Sequence, residues 1–290
     1  MILVDTSYLV YYHGFATWTW YSNEIGKDHI PDDGSYDPMT DPEYKAMFKK
    51  GFLNRALKVL FPINPFVMKS DIIFCLDCNR NKIWRKDLFP EYKILRKQKQ
   101  KETREFSWNG IFNYVNNILL PEYQDKYGCK IVSNSHAEGD DCIAVLTKYL
   151  YNNGDRDIII IGSDGDLIQL TDKALLITLK GEKKTVESVM KKYKIWDARK
   201  WDTHSFVVHK TLMGDKGDEI PGIVPKCGPK TALKYINNSE QLKKLLENKI
   251  IKDQWIRNTK IIDFDYIPKE ITQDVISQFE SQRDEDLFNL

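Results

Sequence analysis

Carboxylates recur in this chain where a folded protein would gather them. Ile2-Leu3-Val4 runs into Asp5, and Ile72 to Leu76 runs into Asp77. Ile158 to Ile161 passes through Gly162-Ser163 into Asp164, with Asp166 close behind. Glu138, Asp140 and Asp141 form a second group, and Asp215 and Asp218 a third. Crowded carboxylates repel one another and need protons or bound cations. Their oxygens are hard ligands suited to Mg²⁺ or Mn²⁺. The five histidines are scattered and no pair has zincin spacing, which argues against zinc. The chemistry to expect is that of a divalent-cation site.

The elements that must position these groups follow from the flanking pattern. Short apolar runs bounded by turn residues read as strands buried on both faces. Such strands alternate here with helical stretches, which predicts an α/β fold with a mostly parallel central sheet. Ligands of such sheets sit outside the carboxyl ends of the strands, where Asp5, Asp77 and Asp164 fall. A further strand is expected over Lys130 to Ser133, then a helix from about His136 to Tyr151. Ser135-His136-Ala137-Glu138 has capping-box form, so acids favouring a helix start are one reading of this segment. It accounts less well for three acids in four residues. Glu138 and Asp141 are three apart and share a helical face. Asp164-Gly165-Asp166 alone is also a common turn sequence.

Elsewhere, residues 44–60 have helical spacing, and Leu175 to Thr178 reads as a strand. Residues 22–43 look like a surface insertion. Residues 80–127 read as a long charged connection with two helices. From about Lys191 the chain is mainly helical, and from Gln273 an amphipathic, exposed helix or tail is expected. Gly228 and Pro229 fit a helix start, where amides with Lys226 and Lys230 beside them can hold a phosphate. An ordinary capped helix fits equally well.

The bulk numbers bound the class. The chain has 290 residues and a formal net charge of +1. The balance conceals asymmetry, because Arg80 to Arg104 holds ten Lys/Arg against three Asp/Glu. Five cysteines, no recognisable signal peptide and no long apolar run point to a soluble protein of a reducing compartment, with no membrane partner. Cys75-Leu76-Asp77-Cys78 has redox spacing, but no Trp or Pro supports a thioredoxin reading.

In combination and order, these pieces resemble the 5′-nuclease superfamily that includes flap endonucleases, and most of all its phage ribonuclease H type. The resemblance rests on the strand into Asp5, Cys75-Leu76-Asp77, Trp84-Arg85-Lys86, Pro90-Glu91-Tyr92-Lys93 with Arg96, and Glu138 to Asp141. It continues through Ser163 to Asp166, Gly214 to Asp218, and Ile262-Asp263-Phe264-Asp265-Tyr266-Ile267-Pro268. It implies a PIN-like sheet domain over 1–190 with a basic helical arch at about 80–127. A helical, helix-hairpin-helix-like duplex-binding region and tail would fill 191–290. It implies two Mg²⁺ ions, with Mn²⁺ as a substitute. Asp5, Asp77, Glu138, Asp140, Asp141 and Asp164 would surround the first; Asp164, Asp166, Asp215 and Asp218 the second.

By the same resemblance, Arg85, Lys93 and Arg96 would lie over the scissile phosphate. Lys93 and Arg96, three apart, are expected on one helical face. Lys86 and Lys97 would attract the backbone, as would Lys226, Gly228 and Lys230. Tyr8 or Tyr11 could stack on a terminal base, although core packing is the commoner fate of such rings. The implied activity is 5′→3′ exonuclease and flap cleavage of RNA–DNA hybrid and branched or duplex DNA, by a monomer in the cytoplasm, that of a host bacterium if the chain is phage-encoded. A single-strand-binding protein or clamp could meet the tail. The family's hairpin usually has a tighter Gly-rich form; here Lys226-Cys227 stands in place of a Gly-apolar pair, which puts a K⁺ ion at this loop in doubt. Glu219 stands where Asn is frequent, and 22–43 has no counterpart. A PIN-type single-strand ribonuclease and a non-catalytic junction-binding protein are the rival readings.

Overall fold

The computed structural model describes residues 1–26, 30–31, 33–95, 106–194 and 201–288. Its centre is a six-stranded sheet: β1 (Ile2–Asp5), β2 (Ile72–Leu76), β3 (Lys130–Ser133), β4 (Ile159–Ile161), β5 (Leu175–Ile177) and β6 (Lys183–Lys184). The spatial order is β3-β2-β1-β4-β5-β6. All neighbours run parallel except β5 and β6, an antiparallel pair that the sequence pattern did not reveal. β6 is only two residues long and both are lysines, so no apolar run marks it.

Register places the acids. Asp5 pairs with Cys75, and Val4 with Ile161, so Asp5, Asp77 and Asp164 leave the same edge of three adjacent strands. The chain reverses its winding between β1 and β4, the place where such sheets open a crevice. Alternate residues fill opposite faces. Ile2, Val4, Ile72 and Phe74 pack with helices Thr6–Ile25 and Pro42–Leu60. Leu3, Ile73 and Ile160 pack with helix Gly139–Asn152.

Several expectations are corrected. Helix Gly139–Asn152 starts later than His136, with Glu138 as its N-cap. The carboxylate that turns back is Asp141, accepting from the Glu138 N–H at 3.0 Å, whereas Ser135 bonds to its neighbour His136. Residues 106–127 are not a charged arch. Phe106, Trp108, Ile111, Val115 and Leu119 are buried in the core, so apolar spacing outweighs the charge of the preceding stretch. The second half of the expected insertion is also packed: Tyr36 meets Trp18 and Tyr21, and Asp41 caps helix Pro42–Leu60.

The expected tail is largely part of the fold. Helix Lys269–Phe288 buries Ile271, Val275 and Phe279 against the sheet's second face. Gln278 and Gln282 pair with the backbone of edge strand β3: each amide oxygen accepts from an N–H (Ser133, 3.3 Å; Ile131, 3.0 Å) and each amide nitrogen donates to a C=O of the same residue (2.8 and 2.9 Å). Two side chains thus satisfy an edge that would otherwise expose unpaired backbone. No helix among the described residues is long and apolar enough to cross a membrane.

Candidate active site

The carboxyl edge opens into a cleft of about 920 Å³. Asp5, Asp77, Glu138, Asp140 and Asp164 line it, together with Lys93. Asp5 ends β1 and caps the following helix by accepting from Tyr8 N–H at 2.9 Å. Asp77 accepts from Ser7 Oγ at 2.5 Å and from Gly139 N–H at 2.6 Å. Gly139 permits that approach, since a Cβ there would stand 3.1 Å from the Cys75 carbonyl and 3.2 Å from Asp77 Oδ1.

These acids are under-compensated. Burial pushes Asp5 up to about 7, and Asp77 and Asp164 add to it. Burial also raises Asp140 well above the usual carboxylate range, with Asp164, Asp5 and Asp77 adding repulsion. An all-oxygen set of mutually repelling carboxylates is the donor chemistry a hard divalent cation takes, so the residues fit such an ion.

Glu138 is held differently. Burial opposes its charge, but Lys93 and Arg85 outweigh burial and bring it down to about 2. Lys93 Nζ donates to its Oε1 at 2.6 Å and lies 3.6 Å from Asp218. Tyr92, unassigned from sequence beyond its place in the motif, bridges the same two acids: its hydroxyl is 2.9 Å from Glu138 and 3.3 Å from Asp218. Lys93 is not helical. Its φ of 54° is left-handed, and its N–H donates to the Asp218 carbonyl, so Lys93 itself stands on no helical face. Arg96 and Lys97 lie outside the described residues.

Asp141 and Arg85 part from the expected site. Asp141 is fully buried and Arg85 is 4% exposed. Arg85 grips Asp141 with two bonds of 2.8 and 2.7 Å and donates to the Ile261 carbonyl, while Trp84 Nε1 adds a bond to Asp141 at 3.1 Å. Neither residue lines the cleft. Arg85 instead ties the strand-end loop to the C-terminal helices and reaches the cleft only through Glu138, at 3.3 Å. A motif cannot reveal this, because three adjacent acids look alike until the helix start aims them.

Asp166, Asp215 and Asp218 present oxygens within 4.8 Å of one another, a spacing that could hold an ion. Asp215 sits in a tight loop closed by its bridge to Ile220. Lys210, outside every motif, reaches both Asp166 and Asp215, the latter at 2.6 Å. Burial drives Asp166 up to about 6 against that ammonium, whereas Asp215 is lowered by Lys210 despite burial.

Tyr8 and Tyr11 line the cleft beside Asp5. The Tyr8 hydroxyl accepts from Leu179 N–H at 3.0 Å, and Tyr11 meets Trp108 and Phe112 edge-on. Lys86 is half-buried outside the cleft. Lys226 and Lys230 are exposed around Gly228, the N-cap of helix Pro229–Asn237, as the Gly-Pro pair predicts. Lys226 takes a left-handed φ of 56°, a conformation that glycine adopts freely and a lysine only at a cost.

Residues 1–195 match the family model for the 5′-3′ exonuclease N-terminal, resolvase-like domain. The chain belongs to the 5′–3′ exonuclease family. Residues 226–286 of this family member match the model for the C-terminal part of T4 RNase H. The chain is 27% identical to a 5′-3′ exonuclease of Bacillus subtilis over 86% of its own length and 73% of the relative's. It is 26% identical to ribonuclease H of Enterobacteria phage T4 over 74% and 71%. It is also 30% identical to DNA polymerase I of Caldicellulosiruptor bescii over 68% of its own length, but spans only 22% of that polymerase. Among solved structures, T5 5′-exonuclease with bound zinc shares the fold at a TM-score of 0.64 and 18% identity, covering 96% of this chain and 98% of that one. A T5 flap endonuclease complex with DNA and metal ions gives 0.62 at 17%, with the same coverage. The exonuclease family is one of nucleases, and the mostly parallel sheet with a helical C-terminal region is its fold here.

Proposed function

We propose that this chain is a Mg²⁺-dependent 5′ nuclease. It degrades RNA or DNA from the 5′ end of RNA–DNA and DNA duplexes, removes RNA primers in replication, and cuts 5′ flaps near the junction. The observation that carries this reading is the meeting of strand-end acids Asp5, Asp77 and Asp164, and helix-start Asp140, with Lys93 in one cleft. The metal-bound and DNA-bound T5 structures of the same fold support it.

In this reading Asp5, Asp77, Glu138, Asp140 and Asp164 hold one ion, and Asp164, Asp166, Asp215 and Asp218 hold a second. When bound, such a pair supplies Lewis acidity toward the phosphodiester and the attacking water. The chain's own residues do the rest. Ser7 and the Gly139 N–H fix Asp77. Lys93 carries the cation that meets charge developing on the phosphate, with Arg96 its expected helper. Arg85 positions Glu138 rather than touching phosphate. Lys86, Lys97, Lys226, Gly228 and Lys230 attract the backbone, while Tyr8 and Tyr11 offer ring faces. Products carry a 5′-phosphate and a 3′-hydroxyl. The enzyme acts as a monomer in the cytoplasm. A replication partner would meet the outer face of helix Lys269–Phe288, since its inner face is taken.

The test is product sizing with 5′-labelled flap, RNA–DNA and blunt duplex substrates in Mg²⁺. The expected result is release of short 5′ fragments, abolished by Asp164→Ala with the fold retained. Intact substrates across a range of salt would overturn the reading. Preference for unstructured RNA over junctions would favour the PIN-type ribonuclease instead.

A further inference from the structure

Between helix Pro42–Leu60 and β2 the chain reads Phe61-Pro62-Ile63-Asn64-Pro65-Phe66-Val67-Met68. Leu60 and Val67 pack into the core. Four other apolar side chains of the stretch do not: Phe66 is 87% exposed, Met68 62%, Phe61 48% and Ile63 37%. Exposed apolar residues are ordinary one at a time, but a run of them marks an interaction surface. The backbone holds them out. The N–H groups of Ile63 and Asn64 both donate to the Leu60 carbonyl at 2.9 Å. Phe66 N–H donates to Asn64 Oδ1 at 3.0 Å, and Met68 N–H to Asp71 Oδ2 at 2.9 Å. Pro62 and Pro65 fix φ between these bonds. A loop so braced presents its side chains with little ordering left to lose on binding.

The rim of this patch is basic. Lys58 is exposed in the last turn of the preceding helix, and Lys69 directly follows Met68. Lys69 and Lys126 hold their ammonium groups 3.7 and 5.2 Å from the centre of one ring, that of Tyr127. None of the three lysines has a carboxylate partner among the described residues. Residues 55–71 carry Arg55, Lys58 and Lys69 against Asp71, which Met68 N–H engages. The loop enters β2 at Ile72, and the cleft acid Asp77 follows the far end of that strand. At about 3.3 Å per strand residue, the patch lies on the edge of the sheet opposite the cleft.

We infer that loop 61–68 is a docking platform for an acidic amphipathic helix of another protein. The helix lays its apolar face on Phe61, Ile63, Phe66 and Met68, and its carboxylates meet Lys58, Lys69 and Lys126. A second copy of this chain is a poor complement, because two-fold pairing would set these lysines against their own copies. A nucleic-acid backbone would use the cations and leave the four apolar side chains without contacts. On the edge opposite the cleft, the partner is held without obstructing whatever the cleft binds.

The probe is a fluorescein-labelled amphipathic peptide with leucine at helical positions i, i+3, i+4 and i+7 and glutamate elsewhere, read by anisotropy against the full chain. It is expected to bind at least about tenfold more tightly than the same peptide with lysine for glutamate, and to weaken as salt rises. Phe66→Ser should weaken it about tenfold with the melting temperature unchanged, and so should Lys69→Gln combined with Lys126→Gln. Flap DNA in Ca²⁺ should leave the peptide bound. Equal binding of the two peptides, an affinity indifferent to Phe66→Ser, or displacement by DNA would each overturn the inference. So would a probe that binds only after truncation at Arg283, which would give the platform to the chain's own residues 284–290, Asp-Glu-Asp-Leu-Phe-Asn-Leu.

Discussion

Two groups of acids at one sheet edge are treated oppositely by the fold. Asp5 and Asp140 lie among other carboxylates, with repulsion from Asp77 and Asp164 outnumbering the help from Lys93. Asp141, in the same helical turn as Asp140, receives a two-bond grip from Arg85 and a third bond from Trp84. Glu138 and Asp215 are intermediate, each held down by a lysine. Where the chain supplies a cation, the acid has a structural task complete within the protein. Where it does not, the acid awaits a cation from outside. Proximity in sequence does not separate these cases; the partner does.

The sharpest way to break this comparison is to remove one acid from each side. Asp140→Asn should lower cleavage by at least about a hundredfold. The same change should raise the melting temperature of the metal-free protein, because it removes repulsion rather than a bond. A fall in melting temperature without metal would contradict the division. Arg85→Met should do the reverse, costing about 3–5 kcal/mol of stability by leaving Asp141 buried and unpaired. Denaturant unfolding measures this; a loss below about 1 kcal/mol would mean that Asp141 finds another partner.

The pH response follows from the same contrast. Folded-state values of about 7 for Asp5 and about 6 for Asp166 lie above the ordinary 3.8. Groups raised on folding contribute stability at low pH that is lost as pH rises through those values. Glu138, lowered to about 2, contributes above its ordinary 4.5 and loses that only in strong acid. Metal-free protein should therefore lose melting temperature as pH rises from about 4 to about 7, the span between the ordinary and folded values, and saturating Mg²⁺ should flatten the slope. A flat profile without metal would show that these acids have partners already.

Smaller effects probe the lysine and tyrosine bridges. Lys210→Met removes the ammonium shared by Asp166 and Asp215. Calorimetric affinity for a divalent ion should rise by about tenfold, since a competing positive charge of order 1 kcal/mol or more is gone; weaker binding would make Lys210 part of the ion site. Tyr92→Phe deletes only the hydroxyl between Glu138 and Asp218. Its expected cost is a few-fold in kcat with KM unchanged, on the order of 1 kcal/mol. An unchanged kcat would assign Tyr92 to packing alone.

Much of this was legible in the residues. Continuous apolar runs ending in Asp5, Asp77 and before Asp164 read as buried parallel strands, and strand polarity sends their acids to one edge. The Gly228-Pro229 helix start was legible for the same kind of local reason. What sequence could not rank were alternatives equal in local chemistry. The run from Phe106 to Tyr127 followed a basic stretch and read as part of it, until burial against the first two helices made it core. The glutamines at 278 and 282 read as an exposed amphipathic face, until β3 presented an edge that needed them.

The sequence by itself determined that carboxylates converge on a sheet edge, because backbone direction and side-chain hydrophobicity are local properties. The tertiary structure alone decided which acids keep a partner. Arg85 and Asp141, Lys210 and Asp215, and Tyr92 with Glu138 and Asp218 are joined only when distant segments pack. Electrostatic pairing depends on distance and burial, and neither is written in the order of residues along a chain.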